Sequence, residues 1–279
     1  MNSKRSLSFL AVGFMKCGTT TIYRDLEGLD HVRMLQKDTE TLLQPDFVPK
    51  AYLAQFDRNA VAGDFSTEYG KPENLARALS NAPSVIDDQT VLIIATRDPV
   101  RRAISHYHHD LVRGETELPP EAALHPDSQY VRQSDYASLV RPWLDIFPMS
   151  RVYLVQFERY MSNRSEGLEA LARAIGLPDD SVTSGPTAIY NVTANKGSVG
   201  PVLQRITDSL IYRRWVRPAL TPAHREQLRR LLAGGGRTRN LPEPSSELIT
   251  ALERALRDSA IELGEVFDTV NLELWPSSK

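Results

Sequence analysis

LSFLAVGFMKCGTTTIYRDLEGL, residues 7–29, decides the fold. Its first six residues, 7–12, are apolar but for Ser8 and too short for a buried helix, so they are read as a strand. Gly13 to Thr21 is turn-rich, and Ile22 to Leu29 has helical character. Strand, loop and helix in that order place the amino end of a helix at the carboxyl end of a strand. A helix start carries unpaired backbone amides and the positive end of the helix dipole, both of which favour an anion. Lys16 adds a cation, and Thr19, Thr20 and Thr21 add hydroxyls. The order differs from GxxxxGK[ST], because the lysine precedes the second glycine. A Lys-Ser/Thr pair that would hold magnesium in a nucleotide hydrolase is therefore missing from its usual place. Cys17 reads most simply as a small residue of the turn.

The same alternation continues along the chain. Ala60 to Phe65 and Val91 to Thr96 read as strands, the second without a polar face before Thr96, as a strand buried on both sides requires. Glu73–Leu79 and Val100–Val112 read as helices, the latter opened by Pro99. The segment 114–134, with Gly114 and the prolines 119 and 120, reads as a loop over the domain; 234–245 reads as a second, flexible loop. Asp135–Phe147 is helical, with Tyr136, Leu139, Trp143 and Phe147 on a core-facing stripe. Val152–Phe157 is a strand, and Glu166–Ile175 is a helix stopped by Gly176 and Pro178. The expectation is an α/β fold: one P-loop-like domain over 1–279 with a mostly parallel central sheet flanked by helices, and ligands at the carboxyl ends of its strands.

Composition narrows the function. A chain of 279 residues with 41% hydrophobic and 24% charged residues can bury a sizeable core. A net charge of −2 speaks against a general nucleic-acid binder. One cysteine excludes an intrachain disulfide framework and suits a reducing compartment. No apolar run approaches the roughly 18–20 residues that span a bilayer. The basic start and apolar run of residues 1–12 resemble a signal peptide, but cleavage there would remove the loop, so a cytoplasmic protein is expected.

A second anion site follows the strand at 91–96. In TRDPVRRAISHY, Arg97 stands at the strand's carboxyl end and Ser105 follows about two helical turns on. An arginine fork and a hydroxyl can together hold a terminal phosphate. Arg101 and Arg102 are read as surface charges. His106, His108, His109 and Asp110 invite a metal reading, which is set aside because their helix already serves the phosphate motif.

KxGTT after the first strand together with RDPxxRxxSxY after a later one resembles the sulfotransferase superfamily, most of all the branch of the heparan sulfate sulfotransferases and their bacterial relatives. Three further stretches are similar in the same order: SDYASLVRPWLDIFPMSRVYLVQFERY, then Asn195-Lys196-Gly197 with Gly200, then the ending that closes with NLELW. The resemblance implies 3′-phosphoadenosine 5′-phosphosulfate (PAPS) as co-substrate. Lys16, Gly18, Thr19 and Thr20, with Cys17 and Thr21 beside them, would hold the 5′-phosphosulfate. Arg97 and Ser105 would hold the 3′-phosphate, and Lys196 and Gly197 would close over it.

Sulfuryl transfer is an in-line displacement between two oxygens, so alignment and charge stabilisation dominate and no metal is demanded. Lys16 would meet the charge that develops on the leaving phosphate. The resemblance points to Lys37-Asp38 where many relatives have Lys-Glu, which makes Asp38 the candidate base and Lys37 its helper. Glu40 is the substitute, on the expectation that an extended segment puts both acids on one side. Asp64, Ser66 and Glu68 resemble an acceptor-cleft region. The acceptor would be a small molecule or a saccharide, and the arginines from Arg213 to Arg239 would suit a polyanionic one. Two rivals remain: a P-loop kinase or nucleotide hydrolase, and a non-catalytic nucleotide-binding protein of the same fold.

Overall fold

The computed structural model describes residues 5–57, 59–182 and 241–278. Five strands, β1 (Phe9–Gly13), β2 (Val32–Met34), β3 (Val61–Ser66), β4 (Val91–Thr96) and β5 (Val152–Gln156), form one sheet in the order β2-β3-β1-β4-β5. Each of its four pairings is parallel. The apolar run at the start of the chain is thus the centre of the sheet: all five residues of β1 and all six of β4 are buried. Removing a Leu or Ile side chain from water contributes about 1.5–3 kcal/mol, and Leu10, Leu92, Ile93 and Ile94 are fully buried.

Helices cover the sheet. They are α1 (Thr19–Glu27), α2 (Pro49–Leu53), α3 (Pro72–Asn81), α4 (Pro99–Arg113), α5 (Pro120–Ala123), α6 (Gln129–Arg132), α7 (Tyr136–Leu144), α8 (Phe157–Ser162), α9 (Arg164–Ala174) and α10 (Ser246–Val266). The pair α1 and α9 pack together, and α10 packs on α4 and α7. Tyr136, Trp143 and Phe147 are buried in the main core, as the stripe predicted. A satellite cluster under α4, α5, α6 and α10 contains Tyr107, Leu124, Tyr130, Leu252 and Leu256.

Three local expectations change. The first helix starts at Thr19, so the threonines are its first turn and not part of a loop. Segment 114–134 carries the short helices α5 and α6, the latter capped by Ser128 Oγ accepting from the Val131 N–H. A helix at Phe157–Ser162 follows β5 directly.

The topology brings the β1 and β4 loops together. The connection leaving β1 runs toward β2, whereas the one leaving the adjacent β4 runs toward β5. Where neighbouring strands send their connections in opposite directions a crevice opens at their carboxyl ends. The GFMKCGTT loop and the Arg97-Asp98 turn are its two lips.

Candidate active site

The first lip is built on backbone geometry. The Cys17 N–H donates to the Phe14 carbonyl at 3.1 Å, and the Gly18 carbonyl accepts from Thr21 N at 2.8 Å and Ile22 N at 3.1 Å. The amides of Gly18, Thr19 and Thr20 have no backbone partner among the described residues, so they remain to face an anion. Lys16 and Gly18 both have left-handed backbones, at φ 76° and 73°. Only glycine suits the second position, where a Cβ would lie 2.4 Å from the Phe157 ring. Thr19 and Thr21 are buried and Thr20 is half-buried. Cys17 is fully buried, with Sγ 3.4 Å from the Tyr136 hydroxyl. Burial pushes its thiol up to about 11. Its thiol and its amide both face inward, and its place in the loop is structural.

The second lip reaches across to the first. Arg97 Nη1 donates to the Lys16 carbonyl at 3.3 Å, and its guanidinium lies 4.9 Å from the centre of the Phe157 ring. The same ring therefore backs Gly18 on one lip and Arg97 on the other. Arg97 Nε is buried and has no partner among the described residues. A buried charged donor without an acceptor is costly, and an anion in the crevice would satisfy it. The Tyr136 hydroxyl donates to the Arg97 carbonyl at 2.9 Å and accepts from its N–H at 3.3 Å. Ser105 is half-buried on α4.

Arg101 is exposed, as expected, but Arg102 is not a surface charge: it is fully buried. Its Nη1 donates to the Met15 carbonyl at 3.2 Å, Nη2 to the Tyr130 carbonyl at 2.7 Å and Nε to Ser134 Oγ at 2.7 Å. Arg102 is thus a strut between the first lip and the 130–134 segment. One turn on, His106 is buried between Arg102 and Asp110; burial, and then the Arg102 charge, push it down to about 2. Burial, and then the Glu115 charge, raise Asp110 to about 6. His108 Nε2 instead lies 3.0 Å from the Pro242 carbonyl. No group of three His, Cys, Asp or Glu side chains converges in metal-ligand geometry among the described residues.

The segment after β2 departs from the extended form expected. Asp38 and Glu40 adopt left-handed backbones at φ 60° and 57°, so the two acids are not presented by strand-like alternation. Asp38 Oδ1 accepts from the Thr67 N–H at 2.8 Å and its hydroxyl at 3.0 Å, and Oδ2 pairs with Lys37 Nζ at 2.6 Å. Lys37 also lies over the Phe65 ring, 5.9 Å from its centre. Glu40 is exposed and opens a turn of 3₁₀-helix, Thr41–Leu43. Lys16, Asp38 and Glu40 are the only non-glycine residues with positive φ among the described residues. Each such backbone stores about 1–3 kcal/mol, and all three fall on residues singled out from the sequence.

Asp64 and Ser66 do not line a cleft; both are fully buried. Asp64 Oδ2 accepts from the hydroxyls of Tyr52 at 2.6 Å and Tyr69 at 2.7 Å, and burial raises its carboxyl above the usual range. Tyr69 in turn accepts from the Leu42 N–H at 3.3 Å, which ties the 37–43 segment to β3. Glu68 is half-buried and pairs with Lys71 at 2.8 Å.

A family model described as the sulfotransferase domain matches residues 8–232. The chain belongs to the sulfotransferase family. A solved sulfotransferase from Alicyclobacillus acidocaldarius shares its fold, with a TM-score of 0.65 at 18% identity over 96% of this chain and 98% of that one. Two weaker likenesses are the sulfotransferase domain of the Synechococcus PCC 7002 olefin synthase (TM-score 0.48, 15% identity, 84% of this chain and 97% of that one) and mouse sulfotransferase SULT7A1 complexed with PAP (TM-score 0.41, 14% identity, 94% and 90%). No curated protein matches the sequence.

In this sulfotransferase, Lys196 and Gly197, and the arginines from Arg213 to Arg239, lie outside the described residues. The residues that sequence reasoning missed are Arg102, Tyr136 as a clamp on Arg97, and Phe157 as the common backing of both lips. Arg102 did carry a signal: with Pro99, Ala103, His106, Tyr107 and Asp110 it follows the helical spacing of the buried face of α4.

Proposed function

We propose that this sulfotransferase moves a sulfuryl group from PAPS to an acceptor hydroxyl or amine, and that the whole of 1–279 is one domain serving that reaction. One observation carries the reading: two anion-seeking elements, the Gly18–Thr20 amides and the buried Arg97 Nε, which has no partner among the described residues, lie on adjacent loops against one ring, Phe157. A nucleotide phosphorylated at both its 5′ and 3′ ends suits that pairing, whereas ATP offers nothing for the second element.

In this reading Lys16 and the first turn of α1, Thr19 to Thr21, receive the 5′-phosphosulfate, and Arg97 with Ser105 receives the 3′-phosphate. Lys196 and Gly197 would contribute from outside the described residues. As the bond from sulfur to the bridging oxygen breaks and the bond from acceptor oxygen to sulfur forms, Lys16 balances the charge left on the phosphate. Asp38 takes the acceptor proton, leaving the Lys37 pair to do so, with Glu40 as the alternative acceptor of that proton. The strained backbones at Lys16, Asp38 and Glu40 support this assignment. The reaction as drawn needs no metal.

The sequence likeness to heparan sulfate sulfotransferases favours a saccharide, a glycolipid or a small metabolite as acceptor. The single, buried thiol favours a reducing cytoplasm, and no helix of the described residues is long and apolar enough to cross a membrane. The test is transfer of label from radioactive PAPS to a panel of saccharides, glycolipids and hydroxylated or amine-bearing metabolites. Labelled product that disappears in Lys16→Ala supports the reading. Tight nucleotide binding with no turnover on any acceptor class would instead favour a non-catalytic binding protein.

A further inference from the structure

The Arg97–Asp98 turn is held by a part of the chain far from it in sequence. Asp98 caps α4, its Oδ1 accepting from the Arg101 N–H at 2.8 Å. Its Oδ2 accepts from both the N–H of Ser277, at 3.2 Å, and its hydroxyl, at 2.9 Å. The Asp98 N–H donates to Glu158 Oε1 at 2.9 Å, and Glu158 Oε2 accepts from the Trp275 indole N–H at 2.9 Å. Four residues back, Asn271 and the side chain of Gln156 exchange two hydrogen bonds, at 2.9 and 3.0 Å. Trp275 is fully buried, and its ring packs tilted against Tyr136, the residue that clamps the Arg97 backbone.

Three successive anchors (Gln156, Glu158 and Asp98) therefore bind the 271–277 segment to the peptide units that aim Arg97. Gln156, Asp98, Trp275 and Ser277 are buried and Glu158 is half-buried; side chains bonded this way have little freedom, and a buried charged acceptor stripped of its donor is costly. We infer that residues 271–277 act as a latch that positions Arg97: Glu158, Trp275 and Ser277 are positioning residues for the anion held by the second lip, acting through Asp98 and Tyr136 without touching the ligand. The inference rests on the reading that this anion is the nucleotide's 3′-phosphate.

The test compares adenosine 3′,5′-bisphosphate with AMP, which lacks the 3′-phosphate, by calorimetric titration of the full chain. Wild-type protein and the variants Trp275→Phe, Ser277→Ala and Glu158→Gln are measured, with thermal unfolding alongside. Trp275→Phe keeps most of the buried ring but removes the N–H, and Ser277→Ala removes one hydroxyl, so both are expected to fold. The expected result is a preference of wild type for the bisphosphate that falls about tenfold in Trp275→Phe and Glu158→Gln and severalfold in Ser277→Ala, with AMP affinity unchanged. Equal loss for both nucleotides, or a preference that survives in Trp275→Phe and Ser277→Ala while the melting temperature drops, would reduce the latch to packing and overturn it. Wild-type protein that does not prefer the bisphosphate would overturn the 3′-phosphate reading itself, a failure separate from that of the latch.

Discussion

The two sides of this site are built differently. On the side proposed for the nucleotide, the lips after β1 and β4 are locked from behind by side chains: Arg102 on the Met15 carbonyl, Tyr136 on both backbone groups of Arg97, Glu158 on the Asp98 amide. Across the way, the 37–43 segment is tied to β3, the turn after it and α3: the Asp38 N–H on the Phe65 carbonyl, Asp38 Oδ1 on Thr67, Leu42 on Tyr69 and Asn81, and the Leu43 carbonyl on Arg77. Its acids are exposed and its backbone twice left-handed. In the function proposed above, the half fixed from behind would grip the nucleotide and the exposed half would present the acceptor.

That contrast breaks most visibly at Arg102. In Arg102→Met the Met15 and Tyr130 carbonyls and Ser134 lose their buried donor, an unsatisfied buried group costing about 1–3 kcal/mol, and stability should fall in urea unfolding, with nucleotide binding lost as well. A stable Arg102→Met that binds nucleotide would remove the claim that the first lip is locked. The exposed half should answer oppositely: Asp38→Asn is expected to lower kcat about a hundredfold or more while leaving bisphosphate affinity and melting temperature nearly unchanged, with Glu40→Gln well below tenfold. Kinetics in parallel with calorimetry decide it. Gly18→Ala comes next, since the left-handed backbone costs about 1–2 kcal/mol and Phe157 must move. Its signature is weakened binding of AMP and bisphosphate alike.

In wild type the smallest effect is a pH dependence confined to the strut's neighbours. Folded His106 resists protonation down to about 2, while unfolded His takes a proton near pH 6.5, so this residue makes stability fall as pH drops below 6.5. Asp110 acts in the opposite sense: held protonated up to about 6 when folded and to about 3.9 when unfolded, it makes stability rise as pH drops through that window. The two offset each other between pH 4 and 6. Asp110→Asn should expose a loss of about 1.4 kcal/mol per pH unit on acidification, and His106→Asn a gain of the same sign as Asp110's contribution. Equal slopes in both variants and wild type would contradict the buried state of the pair.

How far the sequence anticipated this follows from where its signals are physical. β1 and β4 are buried on both faces and carry unbroken apolar runs, so both strands and the parallel sheet were legible. β2 was not, because three residues at a sheet edge, with only Val32 buried, leave no periodicity to count. The nucleotide-side residues sit at strand ends, which the alternation of elements locates. Asp38 and Glu40 were found through resemblance, and their left-handed backbones left little trace, because Asp adopts that conformation only occasionally and Glu rarely. Arg102 was misread because a charge on a helix normally faces water; its place in the buried spacing of α4 outweighed that rule, since carbonyls and a hydroxyl take up its donors.

In the proposed function both lips close on one doubly phosphorylated adenosine nucleotide. Competition calorimetry on wild-type protein and Arg97→Ala, with adenosine 3′,5′-bisphosphate, AMP and ATP–magnesium, tests it most directly. The account predicts that wild type prefers the bisphosphate over both others by about a hundredfold and that Arg97→Ala loses most of this preference while still binding AMP. Preference for ATP–magnesium, or a bisphosphate preference untouched by Arg97→Ala, would contradict it.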